Sequence, residues 1–302
     1  MARSRDPALF VLLAVLWGGS FPAIKAGLAV FPPFSFAGIR YALSGLLLFG
    51  YVLAVGGVWR PRRGDDWRAV GITATFLVVG NGLLFVGQQY ATSGVGAIVY
   101  SLIPILTTAF AWPLLPTERH SATGLLGVVF GFVGAAVVVS PDPSNLLAAG
   151  VLGKVVLIAA ATSAALGSVL LRRTDPAMSV AAMTAWGMVL GGPVLFVLSA
   201  VTGEPLTRGD LGPADLAAMA YLVVLATALG FVVYFRLLNA LGPLEVNLVS
   251  YVVPVVATLV GWALLDEAVA PTTVGGFGLV LVGFALLKRE ALAAELRPYV
   301  FG

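Results

Sequence analysis

The residues able to do chemistry in this sequence are few. There is no cysteine, and the one histidine is His120. That leaves no thiolate nucleophile, no disulfide framework and no nitrogen and sulfur ligand set for a metal, so no cofactor is implied. Glu118, Glu245 and Glu267 fall at the ends of long apolar runs, and no carboxylate falls within one. A proton relay through a buried carboxylate therefore has no candidate. Among the cations within the apolar runs, Lys25 and Arg40 stand out. Charge at such a place is expensive and marks a functional position. A guanidinium binds a carboxylate through two parallel hydrogen bonds, so Arg40, with Lys25, is a candidate receptor for an anionic group. The alternative for both is to snorkel to the interface or to pair with helix-end carbonyls.

Neutral polar groups form the second set. Asn81 and Gln88 lie seven residues apart, on one helical face. Tyr100, Ser101, Ser250 and Tyr251 lie within a turn or so of Pro104 and Pro254. Amides and hydroxyls can hold a zwitterion, or can bond neighbouring helices for less than about 1 kcal/mol each. For Tyr100, Ser101 and Tyr251 the expectation is cavity lining. Trp17, beside Gly18-Gly19, is a candidate aromatic wall, because glycines there would leave room for a ligand.

These residues lie on elements the chain uses twice. Residues 95–118 form an apolar run with Pro104 inside it and Glu118 at its end; residues 245–267 repeat it with Pro254 and Glu267. Pro104 and Pro254 stand 150 residues apart, as do Trp112 and Trp262, and Gly80 and Gly230. Gly127 and Gly134 match Gly276 and Gly283 one residue shorter. Register kept on proline, tryptophan and glycine together indicates duplication. Proline removes a helix hydrogen bond, and the freed carbonyl must face protein or a wet cavity. Broken helices at matching places in two halves point to a transport site.

The 302 residues are 60% hydrophobic and 10% charged, against about 25% charged in soluble domains. The net charge of +3 does not imply nucleic acid, since the basic residues lie in short loops. The pattern predicts an all-α integral membrane protein with ten transmembrane helices as two inverted five-helix repeats, residues 1–143 and 144–302. The expected spans are 8–29, 34–55, 69–90, 94–115, 122–139, 150–171, 178–200, 214–237, 244–265 and 273–287, near the roughly twenty residues that cross a bilayer. The first is too long for a signal peptide and has no small-residue cleavage site, so it is kept as a helix. With both termini in the cytoplasm, thirteen lysines and arginines fall inside and only Lys25, Arg40, Lys154 and Arg208 outside. An odd number of spans per half then inverts the second half, the basis of alternating access. Trp112 and Trp262 read as interface anchors. Glycines 127, 131, 275, 276, 278 and 283 permit close helix contact, within one chain or as a dimer seam. A chain holding both halves is expected to suffice as a monomer.

The sequence 17–25, Trp-Gly-Gly-Ser-Phe-Pro-Ala-Ile-Lys, resembles the opening motif of the ten-helix EamA-type branch of the drug/metabolite transporter superfamily. Arg40-Tyr41, the proline helices ending in glutamate and the glycine-rich fifth and tenth spans are similar to that family too. The resemblance covers essentially the whole chain. It implies a cytoplasmic-membrane carrier, usually an exporter of amino acids or other small metabolites. Roughly at the position corresponding to Arg40 the second half carries Thr184, so an arginine-dependent site would be asymmetric. The expected function is secondary transport of a small-molecule substrate, not catalysis. A hydrophobic-cation efflux carrier is the alternative. A nucleotide-sugar or phosphate exchanger is less favoured, as it would want more basic residues in the cavity.

Overall fold

The computed structural model describes residues 6–115, 122–140, 149–287 and 289. Glu118, His120 and the 141–143 turn lie outside the described residues. Among those described, the chain forms ten apolar helical spans: α1 (Asp6–Gly27), α2 (Pro33–Val55), α3 (Gly64–Gln88), α4 (Ser93–Leu114), α5 (Ala122–Val139), α6 (Ala149–Leu171), α7 (Val180–Val201), α8 (Pro213–Leu241), α9 (Glu245–Leu265) and α10 (Pro271–Leu287). Eight are long enough to cross a bilayer with ease, whereas α5 and α10, with 18 and 17 residues, lie at the short end of the spanning range. Large apolar side chains such as Leu46, Val201 and Leu264 stand more than 60% exposed. The chain is a multi-pass membrane protein, and these groups face lipid.

Local chemistry starts and stops the helices. Proline at the first helical position opens α2, α8 and α10, where its missing N–H removes no helix bond. The Ser179 hydroxyl accepts from the Ala182 amide at the start of α7, an N-cap. The Asp66 carboxylate accepts from the Arg62 and Arg63 amides and from Ala177 at 2.8 Å, tying the start of α3 to the α6–α7 loop. Asp215 accepts from the Gly212 amide in the matching place before α8.

The five pairs of equivalent helices pack as a two-fold relation requires. α2 meets α7, α4 meets α9 and α5 meets α10 directly, so these pairs lie about the axis. α1 packs on α8 and α9, and α6 correspondingly on α3 and α4. The same relation appears inside the helices. α3 is π-helical over Thr73–Val79 and α8 over Tyr221–Leu229, each stretch ending at the paired glycine, Gly80 or Gly230. A Cβ on Gly80 would meet Ser163 of α6 at 2.1 Å, and one on Gly230 would meet the Trp17 indole of α1 at 2.8 Å. Each glycine admits the first helix of the other half.

The α5–α10 contact is a glycine seam within one chain. A Cβ on Gly127 would meet the Gly283 carbonyl at 2.4 Å, and one on Gly134 the Gly276 carbonyl at 2.7 Å. Gly275 and Gly278 have open space around them. The two prolines act less symmetrically than their spacing suggests. α4 breaks at Ser101–Leu102, so Pro104 falls in the first turn of the segment that resumes at Ile103. α9 is interrupted at Leu248, and Pro254 lies inside the continuous segment Val249–Leu265.

Candidate functional site

A cavity of about 480 Å³ lies between the halves, within the roughly 300–1,000 Å³ usual for small-molecule sites. Its wall follows the repeat. Ala97, Tyr100 and Ile103 line it from α4, and their partners 150 residues on, Asn247, Ser250 and Val253, line it from α9. Asn81 and Leu84 of α3 are matched in the same way by Phe231 and Tyr234 of α8. On α4 and α9 the residues recur every third position, one helical face turned inward.

Arg40 is the charged residue in this wall, and no carboxylate of the described residues lines it. The side chain is buried, at 8% exposure. Its Nε donates to the Thr227 hydroxyl at 2.9 Å. That hydroxyl donates to the Leu222 carbonyl at 2.7 Å within the π-helical stretch, which leaves its lone pair for Arg40. The guanidinium carbon lies 5.4 Å from the Tyr41 ring centre and 5.9 Å from that of Phe85, at cation–π range. Its two terminal nitrogens bond no other described residue, nor are they sealed in, so they open on the cavity. Beside it Tyr100 donates to the Asn81 carboxamide oxygen, and Asn81 donates in turn to the Tyr41 hydroxyl.

Opposite in character is an aromatic wall. Trp17 of α1 packs on Phe231 at 5.8 Å and Tyr234 at 5.3 Å, and Phe235 extends the group at 5.7 Å from Phe231. All four rings line the cavity.

The cavity reaches Leu171, Val180 and Asn247, near the ends of α6 and α7 and the start of α9. The other end of the bundle is closed. Phe31 stacks on Phe36 there, with centres 4.9 Å apart, and Phe36 meets Phe85 edge-to-face at 5.4 Å. The Lys25 ammonium donates to the Gln88 and Gln89 carbonyls, both at 3.0 Å, placing a cation on the C-terminus of α3. Glu267 accepts from the Ser93 amide at 2.9 Å and from its hydroxyl at 3.1 Å, capping α4 from beyond the end of α9. Asp266, left-handed at φ 52°, makes the turn that sends Glu267 back. Glu204 caps α2 through the Phe34 and Ser35 amides, and the Arg208 amide donates to the Val30 carbonyl at 2.7 Å.

Of the residues singled out in the sequence, Trp17, Arg40, Asn81, Tyr100 and Ser101 come together in the cavity wall. Five do not. Lys25 is held at the closed end on helix carbonyls, the alternative considered for it. Gln88 is fully buried and donates to the Phe21 carbonyl at 2.6 Å. Tyr251 points away from the cavity and stacks on Phe284 at 4.1 Å, its hydroxyl buried without a partner. Pro104 and Pro254 themselves are off the wall, though the residues just before them, Ile103 and Val253, are on it. The room expected beside Gly18 and Gly19 is filled by Val256 and the Tyr221 hydroxyl. Thr227, Phe231 and Phe235 were not singled out. Thr227 carries no sequence signal of its own, because a π-helical turn sets its direction.

Comparison with known proteins follows the same two halves. The model of the EamA-like transporter family matches residues 7–140 and again 151–289. The uncharacterized transporter YvbV of Bacillus subtilis is 24% identical over 98% of this chain and 95% of its own. The uncharacterized inner membrane transporter YedA of Escherichia coli is 27% identical over 97% and 93%. An S-adenosylmethionine/S-adenosylhomocysteine transporter of Chlamydia trachomatis is 27% identical over 94% and 90%. A solved crystal structure aligns at a TM-score of 0.64 and 20% identity, over 97% of this chain and 99% of that one, a likeness that bears on the fold. With two consecutive matches spanning both halves, the chain belongs to the EamA-like transporter family.

Proposed function

We propose that the protein is a secondary carrier of the cytoplasmic membrane that exports small organic metabolites bearing an anionic group, amino acids among them. One observation carries the reading: a buried arginine, two of whose nitrogens bond no described residue, in a cavity whose described wall holds no carboxylate. Such a guanidinium is matched by a substrate carboxylate. Two inverted halves about the cavity supply two equivalent packings, one open to each side. The lysine and arginine bias puts both termini in the cytoplasm. On that assignment the cavity reaches the cytoplasmic end of α6, α7 and α9, and the closed end is the outer one. The relative named for S-adenosylmethionine and S-adenosylhomocysteine fits this reading, because both molecules carry an α-carboxylate. The aromatic wall would suit a hydrophobic cation, but Arg40 would repel it.

Counterflow in proteoliposomes tests the proposal. Vesicles preloaded with an amino-acid pool receive traces of labelled ones at equal pH on both sides. Saturable accumulation of one class, abolished in Arg40→Gln, is expected. Accumulation that Arg40→Gln leaves unchanged, or linear uptake without saturation, would contradict it.

A further inference from the structure

We infer that the site selects a carboxylate on a planar apolar skeleton, and that it does not read an ammonium group. This rests on the carrier reading above and narrows its substrate class. The wall has two unlike parts. One is the Arg40 guanidinium, held from behind by Thr227 and flanked by the Tyr41 and Phe85 rings, with its terminal nitrogens toward the cavity. The other is the group of four rings, Trp17, Phe231, Tyr234 and Phe235. A flat apolar body can lie on such rings.

An α-ammonium has no ionic counterpart in the wall. Its natural partner is a carboxylate, and none of the described residues lining the cavity carries one. It would stand beside the carboxylate and so within a few ångströms of the Arg40 charge, where like charges oppose each other. The oxygens left to it are neutral. The hydroxyls of Ser20, Ser168 and Thr184 donate to carbonyls of their own helices and so offer it lone pairs but no charge. The Asn81 carboxamide oxygen accepts from Tyr100. Removing the ammonium from an aromatic amino acid therefore removes no ionic contact. Removing the carboxylate removes the one that Arg40 offers.

Three probes of one skeleton separate the terms: L-phenylalanine, 3-phenylpropionate, which lacks the ammonium, and 2-phenylethylamine, which lacks the carboxylate. Binding to the purified full chain would be read as ligand-dependent thermal stabilisation and as inhibition of counterflow. 3-Phenylpropionate should bind at least as tightly as phenylalanine, and phenylethylamine about tenfold or more weakly, the scale of one lost charged hydrogen bond. Arg40→Gln should weaken both acids by about tenfold or more. Trp17→Leu should weaken 3-phenylpropionate more than acetate. Monodisperse elution of each variant, with Arg40→Lys as a charge-keeping control, guards against misfolding.

Phenylalanine binding that 3-phenylpropionate cannot match would overturn the inference and leave the Arg40 reading standing, provided Arg40→Gln still abolishes it. Preference for phenylethylamine would overturn both. If none of the three binds a protein that carries out counterflow of another solute, the inference fails and the carrier reading survives.

Discussion

Tyr100 and Ser250 occupy the same place in the two halves, 150 residues apart, and both line the central cavity. The pairs Ala97 and Asn247, Ile103 and Val253 do the same. The duplication thus builds the wall and not merely the scaffold. Within this near-symmetric frame Arg40 has no charged equal, since no other lysine or arginine among the described residues lines the cavity.

Function and stability should therefore oppose each other at Arg40. A buried cation without a counter-ion opposes folding, while its charged hydrogen bonds to a substrate contribute about 1.5–3 kcal/mol. Arg40→Gln is expected to lose transport and to keep or raise the melting temperature without substrate. A variant that loses both folding and transport together would show that the arginine is structural.

Tyr251 provides the converse case. Its hydroxyl is buried and unpartnered against Phe284, and an unmet polar group of this kind costs about 1–3 kcal/mol. Tyr251→Phe should leave transport kinetics unchanged and stabilise the protein in a thermal unfolding assay. A marked rise in KM would instead return Tyr251 to the substrate path.

Glycines of one helix should differ sharply. Gly283→Leu drives a side chain into the Gly127 and Gly131 backbone, whereas Gly278→Leu enters open space. The first should abolish monodisperse expression and the second should not. Equal loss in both would point to a role for the outer face of α10, such as contact between copies.

Glu267 caps Ser93 across the closed end, an interaction of about 0.5–2 kcal/mol by the scale of N-caps. Glu267→Ala should destabilise this closed state by that amount. A cysteine reagent added from that side should then label Ala91→Cys, buried at 6% exposure, about twofold to thirtyfold faster on the same free-energy scale. Unchanged labelling would mean that the cap only starts a helix.

Much of this was legible in the sequence, and the rest fails for definite physical reasons. The ten spans follow from apolar runs bounded by prolines and glycines, and α5 appears at its expected residues, Ala122–Val139. Trp17, Arg40, Asn81, Tyr100 and Ser101 share a wall because helical spacing fixes their faces. Nearness to Pro254 does not bring Tyr251 to the wall, because it says nothing of direction, and one residue's rotation, about 100° on a helix, separates it from Ser250. Lys25 was open to two readings, and only the fold shows which carbonyls it meets. The π-helical stretches that aim Thr227 have no signature in hydropathy.

Alternating exposure of the cavity is the central claim, and the chain offers a direct test because it contains no cysteine. Single variants Ser168→Cys, in the cavity wall, and Ala91→Cys, at the closed end, would be labelled in proteoliposomes by an impermeant reagent from each side. Saturating 3-phenylpropionate, or whichever solute counterflow identifies, would be added or withheld. The account predicts that the solute moves the two labelling rates in opposite directions, and that Arg40→Gln abolishes the shift. Rates that move together, or that ignore a solute the protein demonstrably transports, would contradict it.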